Sequence, residues 1–449
     1  MEATAQEVFE NWKESIVKGE EFFEEINKLK TDSEIEEKFG KQLNFNVAGA
    51  RAVGGLGTNK LNVYTVRRLA LGVHSYFNSA EKDGAVVIAY DTRKESQKLA
   101  KSAAEIFATY NRKVYIFRAP QPAAVLSYTI RYIKADIGIM LSAGGSLKQL
   151  NGFKVYAGHG GPVNAETAGG IAAQIETIQN IFDIERRIFD DLILRSKVFY
   201  VPELIYQSFL EEVLGLRLET GTSSLKVVYT PLNGAGSVPV REILRMSGYK
   251  KTEIVGKQEQ PDGSFATCNP PSPDNSAAMA PALEQAKSAG ADIVLATDPD
   301  AGALAVFAGT KDGFIRLSNE DLGTLLLNYI IVRNKEKNNL FKSPVVIKGK
   351  AEGGLATAIC KEHKIELVET AEGFRFIAEY IESLVKQGRI KDFVFGFDGN
   401  GGFLYGTQGR EADSVAAAML VCDMASYYKR KHKDLSAVLD GLKSKYYKS

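Results

Sequence analysis

Cysteine, histidine and charge of a single sign are all scarce in this chain, and each scarcity removes a class of function. The three cysteines (Cys268, Cys360, Cys422) among 449 residues are far apart and odd in number. They make no disulfide framework and no CxxC pair, which fits a reducing compartment; a cytoplasmic location is expected. The four histidines (His74, His159, His363, His432) show no HExxH or paired spacing, so a histidine metal centre is not indicated. Neither charge is in excess: 56 basic residues face 55 acidic ones, for a net charge of +1. Nucleic-acid binders usually carry a basic surplus, so no nucleic-acid partner is expected. No apolar run reaches the roughly 18 residues that span a bilayer. The first ten residues are acidic and lack an apolar signal core, which argues against secretion.

What is present is an ordinary globular composition, 45% hydrophobic and 25% charged, long enough for about three domains. Residues 5–40 read as helix, with Phe9, Trp12, Ile16, Phe22, Phe23 and Ile26 on one apolar face. Short β-branched runs then alternate with helical stretches: 85–90, 113–117 and 135–141, then 225–229, 254–255 and 292–296, then 344–347 and 393–395. A long helical stretch is read over 165–215. Such alternation means α/β units with parallel or mixed sheets. The expected division is an N-terminal helical segment, 1–44, packed on a first domain, 45–195; a second domain, 196–312; and a third, 313–449. Ligands in such sheets sit in loops at the carboxyl ends of strands, here those after Leu141, Ala296 and Phe395.

The loop after Leu141 contains Gly144-Gly145-Ser146-Leu147-Lys148 and continues as Asn151-Gly152-Phe153-Lys154-Val155-Tyr156. Its second half resembles the phosphoserine loop of the α-D-phosphohexomutases, the family of phosphoglucomutase and phosphomannomutase. Four further blocks are similar to that family in the same order. They are Gly54–Asn62, Ala89–Arg93 with Ser96, Val228–Leu232 with Gly234, Gly236 and Pro239, and Pro261-Asp262-Gly263 with Phe265. The resemblance implies three consecutive phosphohexomutase-type α/β domains, with mixed or parallel sheets and helices on both faces. Nothing matches the loop of the family's C-terminal fourth domain, so that domain is expected to be absent. The family's chemistry, on this resemblance, passes phosphate between a serine and a hexose phosphate beside a Mg²⁺ held by three aspartates.

The chain departs from the family pattern at the loops that carry that chemistry. Gly144 stands where the family places its phosphoserine, with Gly145 beside it in place of histidine. The metal loop keeps Asp298 and Asp300 but has Gly302 for the third aspartate and Ala303 for an arginine. The sugar loop has Asp398, Gly399 and Asn400 where the family has two glutamates and a serine. These losses lead to the expectation of no catalytic residue, a lost Mg²⁺ site and no cofactor. The expected remnants of substrate binding are Arg51, Lys148, Arg375, Asp398, Asn400, Thr407 and Arg410. The chain is accordingly expected not to be an enzyme. It is read as a phosphohexomutase-like pseudoenzyme serving as scaffold or regulator, bound to protein in a larger assembly or to an active paralogue. Two alternatives stay open: a non-catalytic sugar-phosphate sensor with weak anion binding, and a residual hexose phosphomutase in carbohydrate metabolism.

Overall fold

Short β-branched runs form the central strands because they are apolar on both faces, and parallel sheets covered by helices bury both faces. In the computed structural model, which describes residues 4–78, 84–220, 223–339, 341–350 and 354–447, these runs make three sheets. The first contains β1 (Ala50–Val53), β2 (Ala85–Tyr90), β3 (Lys113–Ile116), β4 (Ile137–Leu141), β5 (Leu150–Ala157) and β6 (Val198–Tyr200), in the order β1-β5-β4-β2-β3-β6. Strands β4, β2, β3 and β6 run parallel, while β5 is antiparallel to both β4 and β1. The second sheet contains β7 (Val227–Thr230), β8 (Thr252–Ile254), β9 (Ile293–Thr297), β10 (Leu304–Thr310) and β11 (Gly313–Arg316), in the order β11-β10-β9-β7-β8. The third contains β12 (Val345–Gly349), β13 (Glu366–Thr370), β14 (Phe393–Phe397) and β15 (Phe403–Tyr405), in the order β13-β12-β14-β15. The expected class, three α/β units with mixed sheets, is what the chain forms.

Two local readings differ from the structure. The stretch 165–215 is not one helical region: helices Ala165–Glu176, Phe189–Leu194 and Glu203–Gly215 are interrupted by β6, which pairs with β3. The first sheet therefore continues past residue 195. The N-terminal stretch is three helices, Ala5–Ser15, Phe23–Ile26 and Asp32–Phe39. Thr4 with Glu7 and Thr31 with Glu34 form capping boxes that start two of them. Phe9, Trp12, Ile16, Ile26 and Phe39 are buried in one cluster with the first sheet's outer helices. The Trp12 ring meets Phe39 at 5.4 Å, Tyr64 at 5.3 Å and Phe182 at 5.5 Å.

A single apolar cluster runs through all three units, from Val125 and Phe209 through Leu295 to Leu326 and Met419. That shared core sets the three sheets in a fixed relation, and the loops at their strand ends meet. Among the described residues, no helix is long and apolar enough to cross a membrane.

Candidate functional site

The loops after β4, β9 and β14 line one cleft of about 610 Å³, together with residues from β5 and β11. Backbone contacts across the units pin these loops. Ala123 N donates to Asp300 O at 2.9 Å, and Leu304 N donates to Gly401 O at 3.0 Å. Lys148 N donates to Asn269 Oδ1 at 3.1 Å. Arg93 holds the glycine loop from beneath: its Nη2 donates to the carbonyls of Gly144 (2.8 Å) and Ser146 (2.9 Å), and its Nε to that of Leu150 (2.7 Å). Asp91 pairs with Arg93 and bonds Ser96, so the motif around Ala89–Arg93 acts as a loop support.

Gly144 has φ +55°, a left-handed backbone that a residue with a Cβ adopts at a cost. A Cβ there would lie 3.0 Å from Asp298 Oδ2 and 3.8 Å from Asp300 Oδ1, and one at Gly302 would lie 3.3 Å from Asp300 Oδ1. A side chain at either glycine would therefore press on the two carboxylates, and the glycines leave that side of them uncovered. Asp298 Oδ1 accepts from the backbone N–H of Gly302 (2.9 Å) and of Ala303 (3.0 Å). Asp300 Oδ2 accepts from Ser142 Oγ and from Lys154 Nζ, each at 2.8 Å. Burial and the neighbouring charge of Asp300 push the Asp298 carboxyl up. Burial also works against ionised Asp300, but the Lys154 charge and the hydrogen bonds from Lys154 and Ser142 outweigh it and hold Asp300 low.

On the third unit's wall, Asp398 is buried, and its Oδ1 accepts from Asn400 N (3.1 Å) and Gly402 N (2.9 Å). Burial pushes its carboxyl to about 6.

Of the residues singled out from the sequence, the cleft gathers Arg51, Gly144, Gly145, Asp298, Asp300, Gly302, Ala303, Asp398 and Asn400. The others lie elsewhere. The Lys148 side chain is exposed outside the lining, and the Arg375 guanidinium lies over the Phe376 ring at 4.3 Å. Thr407 is exposed, and its carbonyl accepts from Arg410 Nη1 at 3.0 Å. Arg410 is 2% exposed and held by several partners: Nε donates to Glu382 at 2.6 Å, and its backbone N–H to Ser127 Oγ at 2.8 Å. It locks the third unit to the first and does not line the cleft.

Four charged lining residues were missed: Lys154, Glu411, Arg316 and Asp274. Lys154 stood inside the matched half of the glycine-loop motif, and its place on β5 opposite Met140 carries it to the loop end. Glu411 follows Arg410 and accepts from Tyr156 OH at 2.8 Å. Arg316, at the end of edge strand β11, had no signal in the sequence; it pairs with Asp274, which also lines the cleft. A larger cavity of about 780 Å³ lies at the opposite end of the middle sheet, near Ile293, Gly309 and Lys429, and contains none of these loops.

Profiles of phosphoglucomutase/phosphomannomutase alpha/beta/alpha domains I, II and III match residues 42–182, 206–311 and 320–446. A phosphoglucomutase of Staphylococcus epidermidis is 30% identical over 435 residues, 96% of this chain and 78% of that protein. The chain belongs to the phosphoglucomutase/phosphomannomutase family. Two solved structures share the fold. A putative phosphomannomutase from Thermus thermophilus superposes with a TM-score of 0.72 at 21% identity, covering 90% of this chain and 84% of that one. An N-acetylphosphoglucosamine mutase of Aspergillus fumigatus, solved with GlcNAc-6P and magnesium, has a TM-score of 0.52 at 14% identity, covering 96% and 82%.

Two expectations are corrected by these findings. The expectation that the chain is not an enzyme does not stand, because the relative that aligns with nearly all of this chain is a phosphoglucomutase. The expectation of no cofactor and a lost metal site does not stand either, since a protein of this fold holds magnesium. The physical ground for the second correction is local. Among the described residues, no group of three His, Cys, Asp or Glu side chains is placed to hold a metal ion. Mg²⁺, however, is often held by only one or two carboxylates, with waters and ligand phosphate completing its six oxygens. Asp298 and Asp300, which line the cleft and face no side chain at 144 or 302, fit that arrangement.

Proposed function

We propose that the chain is a phosphohexomutase-type enzyme acting on a hexose phosphate in this cleft. The observation that carries the reading is the convergence of Arg51, Lys154, Asp298, Asp300 and Arg316 on one cleft whose far wall presents Asp398 and Asn400. A divalent cation such as Mg²⁺ would be held by Asp298 and Asp300, and when bound it neutralises charge on a transferring phosphoryl group.

The chain's own residues supply the rest. Arg51, and Arg316 beside its partner Asp274, would bind phosphate through charge-assisted hydrogen bonds. Lys154 keeps Asp300 ionised and oriented. The backbone N–H groups of Gly302 and Ala303 orient Asp298. Arg93 fixes the glycine loop so that the space beside the carboxylates stays open. Gly144 has no oxygen to accept a phosphoryl group, so in this reading the 1-phosphoryl group of glucose 1,6-bisphosphate passes to the 6-hydroxyl of glucose 1-phosphate, releasing glucose 6-phosphate and regenerating the bisphosphate.

The test is ³¹P NMR of the purified chain with glucose 1-phosphate, a trace of glucose 1,6-bisphosphate and Mg²⁺. The expected result is a growing hexose 6-phosphate signal. An unchanged spectrum from protein that is folded by its thermal melt overturns the reading.

A further inference from the structure

Glu372 belongs to none of the motifs that first drew attention, yet its carboxylate sits against the sugar-side loop. It lies in the turn between β13 and the helix Phe374–Lys386. Its Oε1 accepts the backbone N–H of Gly399 at 3.0 Å. A Cβ at 399 would lie 2.2 Å from Oε1, and a Cβ at 349 would lie 2.2 Å from Oε2. Both oxygens therefore occupy room that two glycines leave, and a side chain at 399 and the present Glu372 position exclude each other.

Gly373 and Phe374, which follow Glu372, and Asp398 and Asn400, which flank Gly399, line the cleft. Glu372 itself stands just outside that lining and is exposed, so its remaining acceptor positions are open. The cleft consequently has two poles. Arg51, Lys154 and Arg316 gather at one end and offer donors to phosphate, although Lys154 also pairs with Asp300 and Arg316 with Asp274. Asp398 in the lining, with Glu372 beside it through the Gly399 contact, makes an acceptor end, and ionised carboxylates accept hydrogen bonds but donate none. A ligand matched to both poles carries phosphate at one end and hydroxyl donors at the other.

We propose that Glu372 is a substrate-contacting, specificity-determining residue that accepts hydrogen bonds from ring hydroxyls of a hexose phosphate and repels a bare anion. The proposal rests on the hexose-phosphate reading of the cleft. It is tested by titrating the full chain, in Mg²⁺, with glucose 1-phosphate and separately with inorganic phosphate. Glu372→Gln keeps the shape and the Gly399 contact. Gly399→Ala independently displaces the carboxylate.

Each variant is expected to weaken glucose 1-phosphate by about 10-fold or more, the range for a lost hydrogen bond to a charged group. Inorganic phosphate should bind as in the parent, within about 2-fold, or slightly tighter once the negative charge is gone. Unchanged glucose 1-phosphate affinity in Glu372→Gln overturns the inference alone. Equal weakening of both probes also overturns it, by showing a structural role. If the parent binds glucose 1-phosphate no better than inorganic phosphate, the inference and the hexose-phosphate reading fail together.

Discussion

Lys154 Nζ donates to Asp300 Oδ2 at 2.8 Å, joining strand β5 of the first sheet to the loop after β9 in the second. The contact spans 146 residues of sequence. It is the point where the two units share a charge pair inside the candidate site. Removing one partner of a buried pair leaves the other uncompensated, at a cost of about 3–5 kcal/mol when burial is complete. The Lys154 side chain is 28% exposed, so Lys154→Met should cost less, about 2–3 kcal/mol. Urea denaturation at neutral pH measures it. A loss below about 0.5 kcal/mol, the size of an exposed pair, would show that the pair does not fasten the two units.

Residue 144 offers a second test. Its φ of +55° makes any Cβ there strained, by about 1–2 kcal/mol. Gly144→Ser should lower stability by that amount in the same denaturation experiment. Its hydroxyl would emerge beside Asp298 Oδ2. After incubation with glucose 1,6-bisphosphate and Mg²⁺, the variant should gain the mass of one phosphoryl group on the peptide containing residue 144. A variant that stays unmodified would show that the carboxylates do not place a phosphoryl group there.

The cation site is testable without turnover. A ligand that binds only the folded state stabilises by about 2.7 kcal/mol at 100 times its dissociation constant. Mg²⁺ should therefore raise the melting temperature of the parent, and EDTA should reverse the rise. Asp298→Asn keeps an acceptor for Gly302 and Ala303 but removes a carboxylate that burial and Asp300 already push up. The variant should melt no lower than the parent without metal and lose the Mg²⁺ response. A full Mg²⁺ response in Asp298→Asn would place the cation elsewhere.

The acid side of the stability curve should carry a signature from His74. This residue is buried in the helix Val63–Asn78, and its Nδ1 accepts from Arg112 Nε at 3.3 Å. Burial, then the charge of Arg112, push its pKa down to about 4. The folded state thus holds the proton less readily than the unfolded chain, whose histidine titrates near 6.5. The neutral ring's contribution is complete above about pH 6.5, falls as pH drops toward 4, and is gone below that. The difference is about 3 kcal/mol at one pKa unit per 1.36 kcal/mol. His74→Gln should remove this part of the slope, read from melts at pH 7, 5.5 and 4. Parallel curves for parent and variant across that window would disprove it.

The reach of the sequence differs between the fold and the cleft. The wholly buried strands β4, β9 and β14 were legible as β-branched or aromatic runs, because a strand buried on both faces must be apolar throughout. Strand β6 was not. Three residues, Val198–Tyr200, between helices carry too little periodicity to separate from helix, and β6 exists only because the edge of β3 is there to pair with it. The same contrast holds in the site. The strand ends pointed to the loops, and the family resemblance pointed within them to Gly144, Asp298 and Asp398, which all line the cleft. Arg410 looked equally placed to bind a ligand, yet Glu382, Ser127 and two backbone carbonyls consume it.

The sequence by itself determined three α/β units in order and the loops in which chemistry would lie, since strand length and apolar pattern are local properties. Only the tertiary structure decided which side chains share the cleft. It brought Lys154 to Asp300, turned Arg410 into a lock and set Glu372 in the room left by Gly349 and Gly399. A side chain's charge is written in its residue type. The partner that spends or frees that charge comes from chain segments that only packing brings within hydrogen-bond reach.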